Sequence, residues 1–504
     1  MVTLCPEKGP MAGNLKGHFE WSYRLSVWIV LRVRLSRQLY DGLRVAILAG
    51  QFRVGTRMPS TCALAASLDV SRNTVHQAFE QLILEGLLEG RQGAGTFVAE
   101  MPRGIPIGPG AGELSEPRGR RLLSQQGRAI RDVAAKWPEP IQLPGESRGR
   151  AFGMGAPADL FPTSVWRRLL GQCWDALSRA RGLGRAEHEP LREAIAEHLG
   201  TTRGVRCTPD QVIVVSGSQQ GIALTATVLL DPDDSVWVED PGYFGAHTAF
   251  VGWGARVVPV AVDDEGLSVE VGQRRAADAK LAHVTPTHQF PLGKTMPLRR
   301  RAELLAWAQA ADAWILEEDY DSEFRYSGAP LAALQGIDPN QRVIYLGSFS
   351  KSMYSGLRMA YLVVPRDLAP AFRAARQVVG GPPPVLEQAV VARFLSEGHL
   401  DRHLRRMRRV YAQRQRCLAE SVGEQLDGLL RVEPDETGMH LVGWLRAGVS
   451  AEEVCRRAAA EGLELLPLSS YRARAGPEGV LLGFSEVDER ALRHGVSLLR
   501  KALV

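Results

Sequence analysis

The stretch SFSKSMYSGLR, residues 348–358, places one lysine, Lys351, among serines, a glycine and an arginine. It follows the apolar run RVIYLG, residues 342–347, which is typical of a buried strand. A lysine held at the end of a rigid strand and partly desolvated has a lowered pKa and can condense with an aldehyde. Hydroxyls and an arginine beside it favour a bound anion. The stretch therefore indicates a site for a phosphorylated aldehyde.

Pyridoxal 5′-phosphate (PLP) is the obvious such ligand, and it requires three further parts. The run VIVVSGSQQGIALTATVLL, residues 212–230, reads as a strand, a Ser-Gly-Ser-Gln turn and a helix whose start suits a phosphate. The run AWILEEDYDSEFRY, residues 313–326, supplies strand carboxylates that could hold the ring nitrogen protonated. Tyr243, in VEDPGYFGAH, is a candidate to cover the ring face. All the required parts occur in the expected order.

Size and composition fit a globular protein of at least two domains. The chain has 504 residues, 45% of them hydrophobic, and a net charge of only +5, which does not by itself indicate a nucleic-acid binder. The six cysteines are scattered without a CxxC pair, so they predict neither a zinc site nor a disulfide framework, and a reducing cytoplasm fits best. We expect no signal peptide and no membrane span, because arginines interrupt the most apolar run.

The sequence divides into four parts. Residues 1–35 have no clear periodicity and are expected to form a disordered extension, whereas residues 36–100 have the pattern of a compact helical module. Residues 101–150 are rich in Pro and Gly, with nine basic and five acidic residues, and predict a basic linker. From 151 to 504, apolar strands alternate with amphipathic helices, which predicts a mostly parallel sheet covered by helices.

The module over residues 36–100 has the sequence pattern of a helix-turn-helix. The run RQLYDGLRVAILAG, residues 37–50, predicts a first helix that ends at Gly50. Residues 59–90 predict two more helices, capped by Ser60 and Ser71 and separated by a tight turn over 68–71. The run LLEGRQGAGTFVAE, residues 87–100, predicts a hairpin, the wing of a winged helix.

These motifs resemble two known families in one chain. GTRMPST (55–61), VSRNTV (70–75) and the hairpin are similar to the winged helix of the GntR family. SGSQQG (216–221), VEDPGYFGA (238–246), TPTHQFPLGKTMPLRRR (285–301), EEDYDSEFRY (317–326) and GSFSKSMYSGLRMAYLV (347–363) resemble blocks of fold type I aminotransferases. The whole chain from about residue 36 resembles the MocR subfamily of GntR regulators. The resemblance implies a multidomain protein, with an α+β winged helix-turn-helix followed by an α/β fold type I PLP-dependent transferase-like domain.

Carried over to this sequence, the resemblance implies the roles of the PLP-site residues. Lys351 is the residue that joins PLP covalently, Tyr320 binds the ring hydroxyl and Tyr243 stacks on the ring. The position that matches the carboxylate bound to the PLP ring nitrogen is Glu318, and Asp319 is the alternative. Alternation along a strand puts these two side chains on opposite faces of the sheet, so only one of them can serve. The implied phosphate ligands are Ser218, Gln219, Ser348, Ser350 and Arg358.

The resemblance also implies binding to double-stranded DNA. The first turn of the recognition helix would face the major groove, where Arg72 can contact guanine or phosphate. In the alternative interpretation, Arg72 and Asn73 only cap and solvate the helix. With six basic and five acidic residues over 36–99, the module needs charge from the linker or from a second subunit, and the resemblance implies a head-to-tail homodimer. The candidate DNA-binding residues are Arg57, Ser60, Ser71, Arg72, Asn73, Thr74, Gln92, Gly93 and Thr96.

Departures from the aminotransferase pattern bear on function. The arginine that clamps a substrate carboxylate is missing or displaced, because the nearest arginines before the GF of the last strand are Arg472 and Arg474. Phe290 stands where aminotransferases carry Asn, and His288 in the same loop has either a structural or a functional role. We therefore expect a regulator whose large domain senses PLP or a small amine or amino acid. The alternatives are a working aminotransferase with an appended winged helix, and a decayed regulator that binds neither partner well.

Overall fold

The computed structural model describes residues 34–100, 123–135, 150–182 and 188–504. The chain forms two compact units, divided after Leu122, and each is described by itself. The predicted extension over residues 1–35 lies almost wholly outside the described residues, and so does most of the predicted linker over 101–150.

The first unit is built on three helices around one apolar core. They are α1 (Leu35–Leu48), α2 (Thr61–Leu68) and α3 (Arg72–Leu84). The predicted serine caps are confirmed: the Ser60 and Ser71 hydroxyls accept hydrogen bonds from the backbone N–H groups of Ala63 and Thr74, each at 3.1 Å. Asp69 adopts the left-handed conformation, with φ of 53°, which makes the predicted turn between α2 and α3.

The predicted hairpin follows α3. Strands β1 (Leu88–Arg91) and β2 (Gly95–Val98) pair antiparallel, with Leu88 opposite Val98. Gly93, with φ of 74°, sits in the turn, where a residue with a side chain would be strained. Leu88 and Val98 are buried in the core of the unit, so the hairpin is fixed to the helices at its base.

The second unit contains an eight-stranded sheet that confirms the predicted α/β class. The central strands are parallel; β10 is antiparallel to both of its neighbours, and β6 is antiparallel to β5. Across the sheet the order is β3 (Val212–Val215), β10 (Ala360–Val363), β9 (Val343–Ser348), β8 (Trp314–Asp319), β7 (Leu281–Val284), β4 (Ser235–Asp240), β5 (Arg256–Asp263) and β6 (Gly266–Leu267).

Helices cover this sheet, and its central strands are buried on both faces, as continuous apolar runs predict. The helices between residues 123 and 310 are α4 (Gln125–Ala134), α5 (Thr163–Arg179), α6 (Glu189–Arg203), α7 (Ser218–Leu229), α8 (Phe244–Gly252), α9 (Val269–Ala276) and α10 (Leu298–Ala310). Those that follow are α11 (Leu334–Ile337), α12 (Phe349–Ser352), α13 (Ala369–Val378), α14 (Val385–Ser396), α15 (His399–Gln425), α16 (Ala451–Ala460) and α17 (Glu489–Leu503). Short 3-10 turns span Ala158–Leu160, Pro209–Gln211, Ser355–Leu357 and Leu468–Tyr471.

A smaller antiparallel sheet forms from the last part of the chain. Its order is β11 (Leu430–Val432), β12 (His440–Leu445), β14 (Gly479–Gly483) and β13 (Leu466–Pro467). Phe152, near the start of the second unit, bridges to Gly483 of this sheet. The segment that contains Phe152 is thereby held beside the last strands of the unit.

Helix α4 lies within the stretch that the sequence indicated as a linker. The Gln126 side chain donates a hydrogen bond to the backbone carbonyl of Gly252, at the end of α8. A Cβ added at Gly252 would lie 3.4 Å from the Ile130 side chain, so α4 packs closely on α8. Residues 125–134 are therefore part of the second unit and not of a connecting segment.

Across residues 34–100, 123–135, 150–182 and 188–504, no helix is both long enough and apolar enough to cross a membrane.

Candidate functional site

Sheet topology brings the predicted PLP-site residues to one edge. Strands β4, β7, β8 and β9 are mutually parallel, and β3 runs in the same direction because β10 is antiparallel to both β3 and β9. Their carboxyl ends therefore meet at one edge, where open α/β sheets bind ligands. Ser218, Tyr243, Glu318, Tyr320 and Lys351 all lie at or just beyond those strand ends.

Lys351 is on α12, three residues beyond β9. Its Nζ donates a hydrogen bond to the backbone carbonyl of Met154 at 2.7 Å. Burial lowers the pKa of Lys351, and the carboxylates of Asp321 and Glu486 oppose that shift. A half-buried amine with a lowered pKa retains a larger neutral fraction, which is the form that attacks an aldehyde.

The start of α7 and Arg358 form a candidate anion site. Gly217 has φ of 102°, and a Cβ added there would lie 3.9 Å from the guanidinium carbon of Arg358. The first turn of α7, which contains Ser218 and Gln219, thus lies close to this arginine. Helix N–H groups and a guanidinium together attract phosphate. In the neighbouring loop the Ser348 hydroxyl accepts a hydrogen bond from the Ser350 N–H at 3.2 Å.

Glu318 and Asp319 point to opposite sides of the sheet, as strand alternation predicts. Glu318 Oε2 lies 3.0 Å from His283 Nε2, and its charge contributes to the raised pKa of Tyr243. Asp319 accepts hydrogen bonds from Arg203 at 2.8 Å and from Tyr345 at 2.7 Å. Asp319 is therefore held in a buried ion pair, and Glu318 lies on the side of the proposed ring-covering tyrosine.

Aromatic side chains surround the same region. Burial raises the pKa of Tyr243 to about 12, and Gln219 Nε2 donates to its hydroxyl at 3.2 Å. Phe290 lies edge-on to Tyr243, Tyr320 and Tyr471, with ring centroids 6.3, 5.9 and 5.1 Å apart. Phe290 and Tyr471 were not predicted as site residues, although the departure at Phe290 marked that loop as unusual.

His288 is the centre of a second cluster that was not predicted. Its Nδ1 lies 2.9 Å from Asp321 Oδ2 and also 2.9 Å from the Tyr320 hydroxyl, and its Nε2 lies 3.6 Å from Asp435 Oδ2. Burial disfavours the charged ring, but Asp321 and Asp435 outweigh burial and raise the pKa of His288 to about 10. Burial, followed by the charge of His288, lowers the pKa of neighbouring His440 to about 3. The two carboxylates therefore favour the charged form of His288, while burial raises the pKa of Asp321.

The predicted DNA-binding residues are largely solvent-exposed. Arg72 and Asn73 are exposed at the start of α3, while the Ser71 hydroxyl is occupied by capping and by a 2.8 Å contact with the Thr74 hydroxyl. Gln92 and Gly93 are exposed in the hairpin turn. The Arg57 side chain lies beside Gly95, where an added Cβ would approach its Nε to 3.1 Å. Ser60 is exposed at the α2 cap and Thr96 is half-buried on β2.

Comparison with known families covers both units. Residues 35–98 match the family described as bacterial regulatory proteins, gntR family. Residues 152–497 match the family described as aminotransferase class I and II. The winged helix and the aminotransferase-like fold therefore occur in one chain.

Relatives share this whole arrangement. The chain is 38% identical over 492 residues to the probable rhizopine catabolism regulatory protein MocR of Rhizobium meliloti, covering 94% of each chain. It is 31% identical to the pyridoxine biosynthesis transcriptional regulator PdxR of Corynebacterium glutamicum, over 90% of this chain and 93% of that one.

The second unit also resembles solved enzymes. Pyrococcus horikoshii kynurenine aminotransferase is 27% identical with a TM-score of 0.65, covering 76% of this chain and 95% of the enzyme. LysN, an α-aminoadipate aminotransferase of Thermus thermophilus, is 28% identical with a TM-score of 0.63, covering 74% and 94%. The chain belongs to the MocR subfamily of GntR-type transcriptional regulators, in which a DNA-binding winged helix is fused to a fold type I aminotransferase-like domain.

Proposed function

We propose that this regulator binds PLP at Lys351 and that occupancy of the site, by PLP or by a small amine, controls DNA binding by the winged helix. The observation that carries the proposal is the position of Lys351: a half-buried lysine whose pKa is lowered by desolvation, at the sheet edge where Glu318, Tyr243 and the start of α7 also lie. A ligand that binds the two states of the regulator unequally shifts their populations, and hence the affinity for DNA.

The residues at this edge fit PLP chemically. Arg358, Ser218 and the first turn of α7 suit the phosphate, with Gln219, Ser348 and Ser350 nearby. Glu318 suits the ring nitrogen, and His283 holds this carboxylate in place. Tyr243 is placed to stack on the PLP ring, and the Tyr320 hydroxyl is placed to hydrogen-bond the ring hydroxyl. When bound, PLP supplies an aldehyde carbon that condenses with a primary amine.

The residues of the chain then have distinct tasks. Lys351 provides the amine and can hold or release a proton at Nζ, because burial keeps its pKa low. Glu318 would keep a proton on the ring nitrogen of bound PLP, because a carboxylate paired with that nitrogen favours its charged form. The Tyr243 and Phe290 rings, which contact each other edge-on, would exclude water from the face of a bound ring. Asp321 places a negative charge near Lys351 and thereby limits how far its pKa falls.

Transaminase activity is the second candidate function, favoured by the presence of both Lys351 and Glu318. It requires in addition that a substrate carboxylate be held. Arg472 and Arg474, the arginines nearest to the expected clamp, line a separate cavity with Ser469 and Glu478. Formation of a 2-oxo acid from amino acids by the PLP-loaded protein would support this second function over pure sensing.

The names of the relatives do not give one common effector. They refer to rhizopine catabolism in one case and to pyridoxine biosynthesis in another. We therefore propose regulation by occupancy of the Lys351 site without carrying over a target gene. A head-to-tail homodimer is part of the proposal, because two winged helices supply the positive charge that one module with six basic and five acidic residues lacks.

A gel-shift titration tests the proposal. The full-length protein is titrated onto DNA from upstream of its own gene, with and without PLP. We expect PLP to change the wild-type affinity for DNA at least about fivefold, which is the lower end of typical allosteric coupling. Lys351→Ala should remove this response, while exposed Lys280→Ala should retain it. Identical titrations of wild type with and without PLP, after PLP binding has been verified by absorbance, would refute the proposal.

A further inference from the structure

A cavity of about 140 Å³ lies directly beside Lys351. This is about ten times the volume that one buried water requires, so the cavity suits a small organic molecule. Its lining combines the lysine with apolar side chains and one carboxylate: Phe152, Met154, Gly155, Lys351, Glu464, Leu466 and Leu481.

The walls of this cavity come from two segments held together by hydrogen bonds. Glu486 Oε1 accepts a hydrogen bond from the Gly155 N–H at 2.7 Å, which fixes the segment that contains Phe152 and Gly155 to the residues just after β14. Leu466 on β13 and Leu481 on β14 are opposite each other in the small sheet. The cavity is therefore a defined feature of the fold and not a gap between loosely packed loops.

The charge around the cavity is unfavourable for a carboxylate. Glu464 lines it, and Glu486 is close enough to raise the pKa of Glu464, after burial, which is the larger cause. Arg150 opposes this shift but is not among the lining residues. Within the part of the chain that the structure describes, Lys351 is the only basic residue among the lining residues, and its lowered pKa favours the neutral amine over an ionic partner for a carboxylate.

The side chains of β13 and β14 that line this cavity are apolar, and no arginine is among the lining residues that the structure describes. Leu481 stands on β14, two residues before Gly483, and its side chain is almost completely buried. Arg472 donates to the backbone carbonyl of Pro477 at 2.6 Å and lines the separate cavity. A carboxylate bound beside Lys351 would lose its hydration without gaining an ionic partner, which is costly.

We infer that the effector of this regulator is a primary amine without an α-carboxylate, bound between Leu466, Leu481 and Glu464. The inference rests on the proposed function, and it names the chemical class of ligand for the same site. A primary amine can replace Lys351 at the PLP carbon: the C=N bond to Nζ breaks, the C=N bond to the effector nitrogen forms, and two protons pass from that nitrogen to Nζ, which leaves as a free amine. No oxidant or reductant is needed.

A matched pair of ligands tests the inference. Isoamylamine and leucine differ by the α-carboxylate alone, and each is titrated into the full-length, PLP-loaded protein while the visible absorption of the cofactor is followed. We expect isoamylamine to bind at least tenfold more tightly than leucine. Equal or tighter binding of leucine would overturn the inference, and so would a lack of response to both compounds.

Two variants test whether this cavity causes the preference for isoamylamine over leucine. Glu464→Gln removes the lining carboxylate and should narrow the ratio of the two dissociation constants at least threefold, whereas Glu461→Gln, an exposed residue on the same segment, should leave it unchanged. Leu481→Arg supplies the missing cation and should tighten leucine binding. If neither variant changes the ratio, the assignment to this cavity is wrong.

Failure of the proposed function gives a different result. If PLP does not bind at Lys351, no visible absorption band develops when PLP is added, before any amine is present. The inference about the effector then fails together with the proposed function. A normal band combined with a preference for leucine refutes only the amine class.

Discussion

Glu318 and Asp319 are neighbours on β8, yet Glu318 faces His283 while Asp319 is held by Arg203 on the opposite side of the sheet. Both carboxylates are almost fully buried, with 6% and 7% of their surfaces exposed. Burial of a charge requires a partner. Asp319 has a permanent cationic partner in the folded chain, whereas Glu318 has a histidine, so the two acids should respond to substitution in different ways.

Glu318→Gln should weaken PLP binding with little effect on the fold. A charge-assisted hydrogen bond contributes about 1.5–3 kcal/mol, which corresponds to roughly a tenfold to hundredfold loss of affinity. Absorbance titration with PLP measures this, and Glu303→Gln, in an exposed ion pair with Arg299, is the control. If PLP binds the variant as tightly as wild type, Glu318 is not the partner of the ring nitrogen.

Asp319→Asn should instead destabilise the second unit. It leaves the guanidinium of Arg203, only 5% exposed, without its ionic partner, and such a loss costs about 3–5 kcal/mol. Thermal unfolding without PLP should show the decrease. Asp312→Asn breaks the exposed ion pair with Arg342 and should cost less than about 1 kcal/mol. Equal melting temperatures for the two variants would contradict the assigned role of Asp319.

Arg72→Ala should weaken DNA binding and reduce its salt dependence. Each lost phosphate contact lowers the slope of log affinity against log salt by about 0.9, so a dimer should lose about 1.8. Fluorescence anisotropy at several salt concentrations measures this slope. Arg44 on α1 provides the control substitution to Ala, because its side chain is partly exposed and already paired with Glu85, just after α3, at 3.1 Å. An unchanged slope would favour the interpretation that Arg72 lies in solvent at the start of α3 and does not contact DNA.

The sequence predicted those parts of the site that depend on local pattern. Strand alternation separated Glu318 from Asp319, and the serine caps located both helices of the helix-turn-helix. Contacts between distant segments were not predictable in this way. Asp435 approaches His288 from a loop far along the chain, and Ile130 packs on α8 from within an apparent linker. No local periodicity encodes such pairings, because they depend on how the finished layers stack.

The His288 cluster predicts a specific loss of stability at high pH. The pKa of His288 rises from 6.5 to about 10, because Asp321 and Asp435 outweigh the effect of burial. A raised pKa stabilises the fold fully below about pH 6.5, and this contribution is lost as the pH rises towards 10. The Tyr320 hydroxyl and neutral His440 are the other titratable groups against the ring.

We therefore expect the melting temperature of the PLP-free protein to fall between pH 7 and pH 10 by at least about 5 °C more in wild type than in His288→Gln. Wild type and His288→Gln both contain Lys351 and the other groups that titrate between pH 7 and pH 10. The difference between their changes in melting temperature therefore reports the loss of the His288 charge. The variant should already be less stable at pH 7, since Asp321 and Asp435 then lose the cation between them. Parallel curves for the two proteins across the window would mean that His288 is neutral in the folded protein, and that the carboxylates beside it hold the protons instead.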